Sequence, residues 1–543
     1  MGNKFDELLT QVGTGKWNMI YFITACYWYF LIPPQVLSGV YLTPLVNHTC
    51  LPPLLEDPVE ISSDSCSYFV NNSSSGEAEE FPCTEWEYDT SVYTNTLTSE
   101  FNLVCERGYL RATYQSIYMS ATIFSSMVGG YIADRYGRKI VVLVTQLIYA
   151  TLGFCISFAS NFSLILALRF IMLGATVSMN NVQFVTYEYS LPALEVCEVK
   201  YRSVVGILTG LPWAFGTMAW GGVASQIRDW RWLQLYVTLP FALVVPLLFM
   251  MDESPRWLIV RGQCDRARKI LQKAARWNKT QLPSEEALKK LMLDIKEELV
   301  EPEKPVLKEK QNRRWTSLEI PALCRTRPMR IITFIFSLNL FISALVFCGL
   351  SLSGSNYSAD PFIYIVLGGL MEVPGYSLTA PLINRVGRKW PTIWGYVLSG
   401  VAILLLVFIP DNIQWLVMTL AMLGKLCNSG AFMIIFVYMS EVLPTEVRLQ
   451  GVGATIMTCQ LGATIAPYIT DYVGPLVPWA PSVIFGVSSL VAGVALLPMH
   501  ETLDAPMPDT IHDVPDISLK PILSRRKPDL KVDEVEELNK EPA

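Results

Sequence analysis

Residues 129–140 read GGYIADRYGRKI, and residues 379–390 read TAPLINRVGRKW. Each closes a long apolar run with a burst of positive charge, and Arg-x-Gly-Arg-Lys recurs after 250 positions. A turn held at a membrane surface has to stop one helix, satisfy its end and stay out of lipid. Gly137 and Gly387 permit a tight backbone. Arg135, Arg138 and Lys139, with Arg385, Arg388 and Lys389 in the second copy, suit the negative phospholipid headgroups and helix C-termini.

The rest of the chain fits a membrane setting. It is 51% hydrophobic and 17% charged over 543 residues, too apolar for a pair of soluble domains. A window of about 19 to 20 residues, the length that crosses a hydrocarbon core, marks twelve candidate spans. They lie near 18–42, 112–133, 140–159, 162–186, 203–225, 232–251, 329–350, 361–382, 391–409, 413–438, 450–472 and 480–498. Residues 1–16 contain Lys4, Asp6, Glu7 and Lys16 and no small-residue cleavage site, so span 1 reads as an anchor and not a signal peptide. Most of the 42 Lys and Arg residues fall on the side of the two termini, against Arg107, Arg111, Arg228 and Arg231 opposite. The positive-inside rule then places both termini in the cytoplasm. With basic residues sorted by side, the net charge of −6 says little about partners.

The long loop after span 1, 44–111, therefore lies outside the cell. It carries Cys50, Cys66, Cys83 and Cys105 and sequons at Asn47, Asn71 and Asn72. Four cysteines in an oxidising compartment most simply form two disulfides, with three connectivities open. Spacings of 16, 17 and 22 residues lack the close pairing that zinc favours.

The domains expected are a cytoplasmic N-terminus (1–17), a first bundle (18–251), a linker (252–328), a second bundle (329–498) and a disordered tail (499–543). Within the linker, Leu288, Leu291, Met292, Ile295 and Leu299 recur at helical spacing behind Ser284 as N-cap, which predicts an amphipathic surface helix. The two bundles repeat each other. Gly130 matches Ala380, Glu195 with Arg202 matches Glu441 with Arg448, Glu253 matches Glu501 and Arg169 matches Lys425, in the same order and at nearly constant offset. Each pair shares its predicted orientation, so the halves are parallel repeats about an axis along the membrane normal.

The GxxxDRxGRK turn and this repeat resemble the major facilitator superfamily. ESPRWL at 253–258, WRWLQL at 230–235, MEVPG at 371–375, SEVLPTEVR at 440–448 and ETLDAPMPDT at 501–510, with the cysteine-bearing loop, resemble its organic cation, carnitine and organic anion transporter family over residues 5 to 515. The resemblance implies an all-α membrane protein: twelve transmembrane helices in two parallel-repeat six-helix bundles, the major facilitator fold. It implies alternating-access transport of small organic cations or zwitterions across the plasma membrane, with organic anion exchange as the rival on the same scaffold. In that family, carboxylates and basic residues at the cytoplasmic helix ends form a lattice that locks this side in the outward-open state. The positions here are Asp134, Arg135, Arg138, Glu195, Arg202, Glu253, Arg256, Arg385, Arg388, Glu441, Arg448 and Glu501; Asn384 departs from the pattern opposite Asp134.

Ionisable residues deep in a span are expensive and mark functional candidates. Glu372 lies about 11 residues into span 8, roughly 16 Å at 1.5 Å per residue, near the midplane. The family's EVPG glutamate faces the central cavity and helps hold cationic or zwitterionic substrates; the rival expectation pairs Glu372 with Arg169 or Lys425. Gln460 occupies the span 11 position where cation-preferring members tend to carry Asp and anion-handling members Arg, and it selects neither charge. Lys425 offers a counterpart for a substrate carboxylate. Trp213 and Phe347 fall where the family has cavity aromatics, with Tyr27 and Tyr29 as further candidates, since a desolvated amine gains about 2 kcal/mol over an aromatic face. Pro33-Pro34, Pro212 and Pro374 are expected to break spans 1, 5 and 8.

VGTGKW at 12–17 and GVGATI at 451–456 lack the full phosphate-binding patterns. The three histidines, His48, His500 and His512, lie outside the spans, so no histidine relay or metal site is expected, and no nucleophile with a partnered base points to an enzyme. The expected partners are a small organic ion, the bilayer and a co-transported or exchanged ion, with no cofactor and no nucleic acid. A channel would need a continuous hydrophilic lining that these spans lack; a non-transporting sensor is the remaining alternative.

Overall fold

The computed structural model describes residues 4–52, 59–62, 65–71, 78–172, 210–300, 326–357, 360–410, 413–444 and 446–503, with Leu323, Ala505, Pro508 and Ile511. Glu195, Arg202 and Asn72 lie outside these residues, as do the side chains of Asp134 and Asn71. Helices stand at the expected spans. In the first half they run Lys16–Leu31, Tyr109–Tyr136, Arg138–Ser157 and Trp230–Met250, with Phe162–Met172 and Leu211–Gln226 the described parts of spans 4 and 5. In the second half they run Arg327–Leu352, Pro361–Ser377, Lys389–Leu405, Gln414–Val442, Arg448–Pro467 and Ala480–Ala495. Among the described residues, six helices are long and apolar enough to cross a membrane. Large exposed apolar side chains such as Leu243, Phe334, Phe408 and Trp415 suit lipid rather than water. Span 1 breaks at Pro33, as expected. Pro374, by contrast, is carried inside its helix, which ends only at Ser377.

The repeated basic turn has a specific geometry. Gly137 and Gly387 take φ of 98° and 99°, a region that favours glycine. That backbone turns the start of span 3 toward the end of span 6, where Glu253 Oε1 accepts the Arg138 and Lys139 backbone N–H groups at 2.9 and 3.2 Å. The Lys139 ammonium returns the contact, donating to the Met251 and Phe249 carbonyls. The second half repeats it. Glu501 accepts from Arg388 N at 2.7 Å and Lys389 N at 3.1 Å, and the Lys389 ammonium donates to the Leu497 carbonyl at 2.8 Å. A carboxylate therefore caps the orphan N–H groups of one helix while an ammonium caps the orphan carbonyls of its neighbour.

The halves meet toward the side that bears the long loop. Span 2 packs on span 11, and span 5 on span 8. A Cβ on Gly221 of span 5 would lie 2.9 Å from the Phe362 carbonyl of span 8, so this approach requires a residue without a side chain. Tyr41 donates to the Pro361 carbonyl (3.2 Å), Arg111 to the Asp471 carbonyl (3.1 Å) and Ser116 to the Thr464 carbonyl (2.7 Å).

The linker forms a packed unit. Helix Glu285–Val300 lies where periodicity predicts it, joined by a helix over Cys264–Asn278. Leu288, Met292 and Ile295 are buried in one cluster with Leu271 and with Phe5, Leu8 and Leu9 of an N-terminal helix over Lys4–Val12. Asn278 ties them to span 1, donating to the Gly13 carbonyl (2.9 Å) and accepting from Trp17 N (3.1 Å). The start of the expected disordered tail is also docked: Met499 and Thr502 are buried, because Glu501 between them must reach the turn at Gly387.

The external loop adds strands to the helical fold. His48–Cys50 pairs antiparallel with Trp86–Tyr88, and Val59–Ile61, Ser67–Asn71 and Ala78–Pro82 form a second small sheet. Cys50 joins Cys83 and Cys66 joins Cys105, which selects one of the three open connectivities.

Two outcomes follow from these contacts. Alanine at Gly137 or Gly387 would combine a left-handed backbone with a Cβ about 2.6 Å from the capping carboxylate. Either change should lower the thermal midpoint of purified protein by several degrees, on the order of 1–3 kcal/mol. Gly453→Ala, with open space around its Cβ, should not lower it. A non-reducing peptide map should join Cys50 to Cys83 and Cys66 to Cys105; crossed pairs would contradict the loop described here.

Candidate functional site

Span 8 places Gly368 and Glu372 one helical turn apart on the same face. A Cβ at Gly368 would lie 2.6 Å from the Lys425 ammonium. Its absence makes the space into which span 10 inserts Lys425, whose Nζ stands 3.1 Å from Glu372 Oε1. Both side chains are fully buried. Trp213 and Tyr376 stand beside the carboxylate. The Phe347 ring lies 5.6 Å from the ammonium, within cation–π range. Glu372 is thus not a lone carboxylate awaiting a guest; of the two expected partners it has taken Lys425.

Arg169, the repeat mate of Lys425, has a different setting. It donates to the Tyr114 carbonyl at 3.2 Å, the Tyr114 hydroxyl at 2.8 Å and Ser38 Oγ, and lies 4.7 Å from the Tyr118 ring. These acceptors are neutral. At the repeat offset of 250, Glu372 corresponds to Thr122, so the first half lacks the acid that the second half supplies.

Trp213 and Phe347, 6.4 Å apart between ring centres, separate the ion pair from a cavity of about 190 Å³ between the halves. Tyr29, Tyr118, Thr122 and Trp213 line it from the first half. Phe347, Tyr376, Phe432, Phe436 and Gln460 line it from the second. Phe347 stacks on Phe432 at 6.2 Å, and Phe432 meets Phe436 edge-on at 5.1 Å. The wall is a run of aromatic faces with one amide and few hydroxyls, suited to a desolvated organic ion.

The sequence candidates therefore divide. Trp213, Phe347, Gln460 and Tyr29 reach the cavity, with Glu372 and Lys425 directly behind it. Tyr27 does not: two residues along a helix is about 200° around it, and its hydroxyl donates to the Pro240 carbonyl of span 6. Tyr376 carries a signal that sequence reading passed over, since it lies one turn beyond Glu372. Phe432 and Phe436 carry none beyond their aromatic character in an apolar span.

Among the described residues, several charged side chains at the opposite end make contacts inside their own half. Arg388 bonds Glu441 at 2.8 Å, Glu441 accepts the Thr502 hydroxyl, and Arg448 Nε donates to the Leu443 carbonyl at 3.0 Å. Glu253 serves the Arg138 turn as described. The Arg256 guanidinium lies 5.9 Å from the Phe5 ring of the N-terminal helix. Arg135 and Arg385 are exposed.

Residues 62–506 match the family model described as Sugar (and other) transporter. An organic cation transporter protein of Drosophila melanogaster is 31% identical, the match covering 95% of each chain. Organic anion transporter 3 of Sus scrofa is 28% identical over 95% of this chain and 94% of its own. Among solved structures, the xylose transporter XylE from E. coli in an inward open conformation superposes with a TM-score of 0.60 at 14% identity, covering 90% of this chain and 97% of that one; at this identity the likeness speaks for the fold. The chain is accordingly a multi-pass membrane transporter, not an enzyme, and it belongs to the organic cation, carnitine and organic anion transporter family of the major facilitator superfamily.

Proposed function

We propose that this chain carries small organic cations or zwitterions across the plasma membrane by alternating access. In this reading both termini are cytoplasmic and the first loop is external, with sugar on Asn47, Asn71 and Asn72. Asn47 is exposed, which suits that role. The observation that carries the substrate class is the sealed Glu372–Lys425 pair behind an aromatic cavity. Among the described residues the cavity wall offers no free cation, since Lys425 is covered by Phe347 and held by Glu372. A cation entering it meets aromatic faces and, past Trp213 and Tyr376, a carboxylate. A zwitterion fits best: its amine takes Glu372 while its carboxylate takes Lys425, so partners are exchanged and no charge is left bare. A buried pair contributes little net stability, but removing one partner costs about 3–5 kcal/mol. Partner exchange avoids that cost.

A dicarboxylate could use Lys425 only by stranding the Glu372 carboxylate, so anion exchange is the weaker reading. Uptake by expressing cells should be measured with a quaternary amine, a carnitine-like zwitterion and a dicarboxylate, with and without sodium. Uptake of the first or second, absent with the third, is expected; uptake of the dicarboxylate alone would overturn the substrate class.

The pair generates a further expectation. Glu372→Gln or Lys425→Met should each destabilise the purified protein by about 3–5 kcal/mol and abolish uptake. The double variant Glu372→Leu with Lys425→Met should regain most of the thermal stability but none of the uptake. If the double variant transports at the wild-type rate, the pair has no part in binding.

A further inference from the structure

A second chamber, of about 330 Å³, lies on the loop side between the halves. Its walls include Gly39 at the end of span 1, Arg111 at the start of span 2, Pro361 of span 8, Asp471 of span 11, and Asp89 and Tyr93 of the external loop. It shares no lining residue with the aromatic cavity.

Arg111 is only 5% exposed. Its Nη2 donates to the Asp471 backbone carbonyl across the boundary between halves, and its Nε has no partner. A buried guanidinium with an incomplete set of acceptors is a costly arrangement, and a planar carboxylate completes it. Asp471 uses one carboxylate oxygen to accept the Thr470 hydroxyl at 3.0 Å. Asp89 accepts the Ser91 backbone N–H at 2.9 Å, which holds its carboxyl below the usual range and keeps it ionised. One cation and two anions thus line the same chamber of about 330 Å³.

We propose that this chamber is a binding site for a small zwitterion of the amino-acid type, with the guest carboxylate on Arg111 and its ammonium between Asp471 and Asp89. A guest there touches both halves and the loop, so it binds only while the halves are together on that side and favours that arrangement. The site is a brake on the carrier, separate from the path through the aromatic cavity.

The test uses purified full-length protein and a series of ω-amino acids from glycine to 6-aminohexanoate, read by thermal shift. The central site is removed in a second preparation, the Glu372→Leu/Lys425→Met variant, so that failure here is distinguishable from failure of the proposed substrate class. At least one member of the series should raise the midpoint of both proteins by several degrees. Asp89→Asn or Arg111→Lys should weaken that guest tenfold or more. The proposal is overturned if no member shifts either protein, if the shift vanishes in the charge-free variant, or if Asp89→Asn and Arg111→Lys both leave it intact. Should the variant lacking the central pair fail to fold, an unchanged shift in both Asp89→Asn and Arg111→Lys of the otherwise native protein overturns it.

Discussion

The reciprocal cap between a carboxylate and a lysine is the contact on which each half is built. Helix ends at a membrane surface carry unpaired N–H and C=O groups that need partners. Here the acid that ends span 6 covers the start of span 3, and the lysine that starts span 3 covers the end of span 6. Spans 9 and 12 repeat this through Glu501 and Lys389. Neither contact survives a shift of one helix past the other, so each half is fastened as a unit at this level. The positive φ at Gly137 and Gly387 is the geometric condition for it, since a side chain there would occupy the carboxylate's position.

The same rule, that a charge removed from water must find its partner in protein, governs the interior. Arg169 and Lys425 are repeat mates, yet they satisfy the rule in different ways. Arg169 takes uncharged oxygens and tyrosine faces within the first half. Lys425 takes a carboxylate that the other repeat lacks. A single acid at position 372, with Thr122 at the matching place, therefore accounts for a site that is asymmetric within a nearly symmetric frame. Neutral hydrogen bonds leave Arg169 fixed by several short-range contacts. An ion pair behind one aromatic ring can exchange its partners when a guest brings charges of its own.

Span positions were legible because they depend on apolar length, and the halves because repeated strings stand at constant offset. The level of Glu253 and Glu501 was legible too, but not their contact with the basic turn: a cap between a side chain and a backbone requires only an acid near a helix end. Depth placed Glu372 at the midplane, but its pairing with Lys425 depends on the rotation of two helices about their axes, for which depth carries no information. Tyr27 and Tyr29 show the same limit, being equal in sequence and opposite in direction. The strands of the external loop were hidden because four cysteines dominated the reading of short segments such as SYFVN.

The placement of the bonds also bears on how such a carrier moves. The caps at Glu253 and Glu501, and the Arg388–Glu441 pair, lie within one half each. The bonds from Tyr41, Arg111 and Ser116 cross between halves and lie toward the loop. A rotation of one half against the other about the central cavity leaves the first group intact and breaks the second. These three bonds use backbone carbonyls as acceptors, worth about 1 kcal/mol for each neutral donor and about 1.5–3 kcal/mol for the charged Arg111, and the Thr113 and Tyr468 hydroxyls meet across the same boundary at 3.2 Å. Opening the loop side therefore parts these bonds together with the packing of span 2 on span 11 and span 5 on span 8, while the capping contacts travel with their own half, as rigid-body alternation requires.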